Sequence, residues 1–132
     1  LELEEKMECV SSRIASIIGE RLRNLEKQVE FLRRSYFAVD GLWFVKCEDC
    51  LSLKKAFELD KAVWEIMAKI QARKSRELTG AGNGLDGLGR CLSLKFESEG
   101  WKYRLVRPSD NVLKVEVTSC PWYHMLEKSD RT

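Results

Sequence analysis

Apolar residues open the chain at Met7, Val10, Ile14, Ile18, Leu22, Leu25, Val29, Leu32, Tyr36 and Val39. Steps of three and four keep side chains on one face of an α-helix. From Leu22 to Val39 the steps alternate as in a coiled-coil seam, whereas between Val10 and Leu22 all are fours, so the stripe shifts around Gly19. One unbroken helix over residues 2–39 would be about 57 Å long at the usual rise per residue, too long for a globule of this size. Two readings follow: a break near Gly19, or an arm that packs on a second chain. The pattern favours a break, with the arm, residues 1–30, used in a homodimer.

Residues 31–50 continue as helix through Gly41, since a glycine inside a helix costs only about 1 kcal/mol against alanine. Ser52 suits the N-cap of a second helix over about residues 53–78. Its stripe is Ala56, Leu59, Val63, Ile66 and Ile70, widened by Phe57, Trp64 and Met67. So wide a face implies a helix contacted on more than one side. Thr79-Gly80 ends it, and Gly82, Gly84, Gly87 and Gly89 follow. They lack a preceding strand and a Gly-Lys-Ser/Thr ending, so a flexible connection is expected rather than a phosphate loop.

The period then changes to two. Leu92, Leu94 and Phe96, then Trp101, Tyr103 and Leu105, then Val112, Leu113, Val115 and Val117 read as strands. Turn formers separate them at Ser98-Glu99-Gly100 and Pro108-Ser109-Asp110-Asn111. Cys120-Pro121-Trp122 opens a last helix, with proline suited to its first turn. The expected fold is α+β: an antiparallel helical hairpin (31–80) on a three-stranded antiparallel sheet, ending in a short helix (81–132). All of it belongs to one domain, 1–132.

Composition narrows the functions. The 132 residues are 44% hydrophobic, enough for a core without disulfides, and the net charge is +2. Basic and acidic groups number 7 and 8 in residues 1–40, 8 and 6 in 41–80, and 8 and 7 in 81–132. No segment therefore favours nucleic acid. Lys69, Arg73, Lys74 and Arg76 cluster where a helix C-terminus welcomes cations. No apolar run suits a membrane span and no signal-peptide pattern is present, so five reduced cysteines in a cytoplasmic protein are expected. The Leu1 start and Thr132 end read as part of a longer product.

The candidate chemistry centres on cysteines and the single histidine. Cys47 and Cys50 form a Cys-x2-Cys pair, and Cys120 and His124 a Cys-x3-His pair. These are the ligand types of a tetrahedral zinc site, provided the fold joins them. Packing is the competing role, because cysteine is often buried without a function. Cys120 at a helix start could instead act as a nucleophile with His124 as its base. Asp40 and Glu48, with Trp43 and Trp122, could bind the amino or amidinium group of a small polar ligand in a pocket between hairpin and sheet.

Two blocks carry a family resemblance. One comprises Asp40-Gly41-Leu42-Trp43-Phe44, Glu48, Ala56, Leu59, Asp60 and Trp64, and the other is a strand closing on Cys120-Pro121. Over roughly residues 31–124 the chain resembles bacterial and archaeal proteins similar to the L-2-amino-thiazoline-4-carboxylic acid hydrolase family. That resemblance implies C–N hydrolase-like chemistry, the ring opening of a cysteine-derived thiazoline. The family's further cysteine-containing segments beyond the Cys-Pro corner are absent here. The rival expectation is a non-enzymatic dimeric interaction or sensory module with a seam through Leu22, Leu25, Val29 and Leu32. In that case a zinc ion on the four-residue set would be structural.

Overall fold

The computed structural model describes residues 1–130. The fold is α+β, with helices α1 (Glu2–Cys50), α2 (Leu53–Thr79), α3 (Leu85–Glu99) and α4 (Pro121–Lys128). Strands β1 (Lys102–Ser109) and β2 (Val112–Ser119) form a two-stranded antiparallel sheet. The chain divides into two compact units, Leu1–Tyr36 and Phe37–Thr132. No described helix is long and apolar enough to cross a membrane.

The first unit is helical. The expected break near Gly19 is absent, because α1 continues through Gly19 and Gly41. A single glycine costs too little to stop a helix supported by good formers on both sides. Glu2, Glu4 and Glu5 lie in the first turn, favourable to the helix dipole. Lys6 pairs with Glu2 at 2.6 Å, and Arg34 with Glu30 at 2.6 Å. Such pairs add only about 0.2–0.5 kcal/mol each. The apolar stripe contributes little within this unit, since Leu22, Leu25, Val29 and Leu32 are between 45% and 65% exposed.

In the second unit, Ser52 caps α2 as expected. Its backbone is extended and its side chain accepts from the Lys55 N–H at 3.1 Å. Gly80 closes the helix in the left-handed conformation at φ 63°, which glycine adopts without a Cβ penalty. The Phe44 and Phe57 rings meet edge-on at 5.1 Å, bringing the end of α1 against the start of α2. α2 packs against α3, and α3 against both strands.

The expected strand at Leu92–Phe96 is corrected to helix, since those residues lie in α3, as do Gly87 and Gly89. Leu92, Leu94 and Phe96 fit a period of two, but Leu85, Leu88, Leu92 and Phe96 fit a helical face equally well. The helix ends in a Schellman motif. The Gly100 N–H donates to Glu97 O, the Trp101 N–H donates to Phe96 O, and Gly100 has φ 79°. The Phe96 and Trp101 rings, 4.9 Å apart, supply the apolar contact usual for that motif. The glycine-rich stretch is therefore only partly a connection. Gly87 is required because a Cβ there would lie 2.1 Å from the Gly82 carbonyl oxygen.

β1 and β2 pair through Tyr103 with Val117, Arg104 with Glu116 and Leu105 with Val115. Leu105 and Leu113 face Gly89 of α3, whose missing side chain lets helix and sheet approach. The fully apolar core is small: Phe37, Ala56, Ala81 and Phe96 are its buried members.

Candidate functional site

A polar arrangement in the second unit surrounds Glu99, which is 5% exposed. Its Oε2 accepts from the Trp101 indole at 2.7 Å and from the Trp122 indole at 3.0 Å. Lys95, one turn earlier on α3, donates to Oε1. Trp122 meets Phe37 edge-on at 4.4 Å and Trp64 at 5.6 Å, and the Lys95 ammonium lies 5.8 Å above the Trp64 ring. One carboxylate thus fixes two tryptophans and a cation where α1, α2, α3 and α4 converge. Trp122 packs between the Phe37 and Trp64 rings at this point.

Asp40 lies beside the same cluster. Burial and then the Asp60 carboxylate raise its pKa, while the Trp64 indole N–H opposes the shift. A half-buried carboxyl facing another acid and one donor can hold a proton or accept a cationic ligand group. Glu48 is half-buried on α1, and Trp43 is 70% exposed. Trp43 therefore does not line an interior pocket with Asp40.

β2 ends on Ser119, and α4, which carries Trp122, also delivers His124. Cys120 is the N-cap of α4 in extended conformation, its side chain makes no cap bond, and Pro121 fills the first turn. The Ser119 Oγ is 3.0 Å from His124 Nε2, and His124 Nδ1 is 3.2 Å from Glu127 Oε2. An ionised carboxylate only accepts, so a neutral His124 carries its proton on Nδ1 and Nε2 accepts from the serine hydroxyl. Nucleophile, base and orienting carboxylate stand in the order that hydroxyl activation uses. His124 is exposed, and it is Ser119 rather than Cys120 that meets its Nε2.

The proposed zinc set does not assemble. Among the described residues, no three His, Cys, Asp or Glu side chains are placed to hold one ion. Cys47 and Cys50 occupy the last turn of α1, while Cys120 and His124 lie at the start of α4, and all five cysteines are free thiols. A groove lined by Thr79, Asp86, Arg90, Glu97 and Arg107 among others contains none of the expected site residues. Sequence reasoning missed Glu99, Lys95, Ser119 and Glu127. Only the last had a visible signal, an acid three residues after a helical histidine.

A match to a described protein family runs over residues 21–130. The chain belongs to DUF6125, a family of unknown function. The DUF6125 match takes in the α1 seam from Leu22 onward, the Glu99 cluster and the Ser119–His124–Glu127 arrangement. Comparison with curated proteins and with solved structures returned no match.

Proposed function

We propose that this chain is a dimeric interaction module that associates through the seam of α1. The supporting observation is the exposure of Leu22, Leu25, Val29 and Leu32, between 45% and 65%, at the alternating three- and four-residue steps of a coiled-coil seam. Most helical stability comes from packing an amphipathic face, so a long helix with its stripe in water is incomplete. Placing Leu22 and Val29 at a and Leu25 and Leu32 at d gives a β-branched residue at a and leucines at d. That choice favours parallel two-stranded coils. In such a coil Arg21 at g faces Glu26 at e of the second copy, an attractive pair. Replacing Leu25 and Val29 by glutamate should raise the dimer dissociation constant about 100-fold or more, with helix content in the second unit kept. An unchanged mass in solution refutes the reading.

A second reading retains the likeness to thiazoline-carboxylate hydrolases, and the His124 geometry favours it. His124 Nε2 would take the proton as Ser119 Oγ attacks a carbonyl or amidine carbon, while Glu127 holds Nδ1. Asp40, beside Asp60 and Trp64 on the hairpin of α1 and α2, would hold a ligand's amino or amidinium group. A fluorophosphonate probe should label the wild type and spare Ser119→Ala and His124→Ala. Labelling at Cys120 would return that residue to the nucleophile's role, and no labelling removes the reading.

A further inference from the structure

Along α3, Gly89 and Ser93 lie one turn apart, and Arg90, Leu94 and Glu97 follow them at helical steps, so all five share one side of the helix. Gly89 packs beneath Leu105 and Leu113 of the β-hairpin, where a Cβ would lie 3.7 and 3.8 Å from their methyl groups. Beside this contact a groove of about 640 Å³ remains, lined from α3, both strands and the end of α2. That volume lies in the range of small-molecule sites. The groove belongs wholly to the second unit. Its lining is mostly apolar, with Leu94, Leu105 and Leu113 half-buried.

The charged side chains of the lining are not equally engaged. Arg107 pairs with Asp86 and donates to the Asp110 carbonyl at 2.7 Å, which ties the start of α3 to the hairpin turn. Glu97 accepts from the Tyr103 hydroxyl at 3.1 Å. Arg90 has no ion pair or hydrogen bond among the described residues. Its planar guanidinium offers five N–H donors and a full charge beside aliphatic side chains. Arg90 and Glu97 stand two turns apart, about 10 Å along the helix, so the groove carries opposite charges at separate points with leucine between them.

We propose that this groove binds an apolar monocarboxylate, with the carboxylate on Arg90 and the hydrocarbon body on Leu94, Leu105 and Leu113. A guanidinium takes a carboxylate through two parallel N–H···O bonds, and covering the leucines removes apolar surface from water. A small inorganic anion would use only the first contribution and an uncharged hydrocarbon only the second. The Glu97 carboxylate selects against a second acid group at the far end of the ligand. No residue of the α1 seam or of the Ser119–His124–Glu127 arrangement lines this groove, so the proposal stands apart from both readings above.

The test is titration of the full, isotopically labelled chain with octanoate, read from amide chemical shifts in buffer free of phosphate and acetate. Saturating shifts should centre on Gly89, Ser93, Leu105 and Leu113, with a dissociation constant of about 1 mM. Arg90→Gln should fold, since the side chain is exposed and has no partner to lose, and should weaken binding about tenfold. Octanol, which lacks the charge, and octanedioate, which brings a second one, should each bind about tenfold more weakly than octanoate. Glu97→Gln should narrow that gap for octanedioate. Ser93→Leu blocks the groove at a second point, should abolish the shifts, and serves if Arg90→Gln misfolds. Shifts spread over the exposed apolar residues of α1 and α2 and insensitive to Arg90→Gln overturn the proposal. Equal binding of octanol and octanoate, or no saturation below about 10 mM, overturns it as well.

Discussion

Replacing Glu99 with alanine removes the one acceptor that both Trp101 and Trp122 indoles use. Hydrogen bonds to a charged group are worth about 1.5–3 kcal/mol each, so losing two costs about 3–6 kcal/mol. Lys95 adds less than about 1 kcal/mol because its side chain is 30% exposed and can rehydrate. Against a usual total of about 5–15 kcal/mol, the change should unfold a large part of the population. Glu99→Gln keeps one oxygen for two indoles and should cost about half as much, roughly 1.5–3 kcal/mol. The assay is urea unfolding followed by tryptophan fluorescence at one fixed protein concentration, because association shifts apparent stability. A midpoint for Glu99→Ala within about 0.5 kcal/mol of wild type, with an unchanged urea slope, would refute the claim that this carboxylate organises the aromatic cluster.

Gly87→Ala would press a Cβ to 2.1 Å from the Gly82 carbonyl oxygen, and overpacking of this kind costs about 1–3 kcal/mol; thermal unfolding measures it, whereas Gly82→Ala, with open space at its Cβ, should cost much less. The raised pKa of Asp40 means that the folded state binds its proton more tightly than the unfolded chain does. Its contribution is therefore full below the unfolded pKa and is lost as pH rises through the folded one. Asp40→Asn should accordingly be more stable than wild type at neutral pH, with the gap closing in acid, as urea midpoints against pH would show. Because the Cys47, Cys50, Cys120 and His124 set does not converge, a strong zinc chelator should leave the unfolding temperature unchanged, and a drop would refute that.

Much of the helical architecture was legible because its signals are local. Ser52 and Gly80 bound α2 through capping chemistry that needs no tertiary partner, and Asp110-Asn111 separates two strands with clear alternation. The failures occurred where two local rules tie. Leu92, Leu94 and Phe96 satisfy the strand period, and Gly87 and Gly89 fit a loop by composition. Both glycines sit in a helix for a tertiary reason, the approach of Gly82 and of Leu105 and Leu113. The candidate sites were hardest to read. Glu99 looked like part of a turn, and its burial depends on Trp122 arriving from 23 residues away. The Cys120–His124 spacing reads as one helical turn, but the residue brought to His124 Nε2 is Ser119, which the end of β2 supplies.

Self-association is the central claim, and the mass of the purified chain in solution tests it most directly. Light scattering across a dilution series should give twice 15.3 kDa at high concentration, falling toward a single chain on dilution and in the Leu25→Glu/Val29→Glu variant. A single-chain mass at every concentration, from a protein with native helix content, would contradict the account.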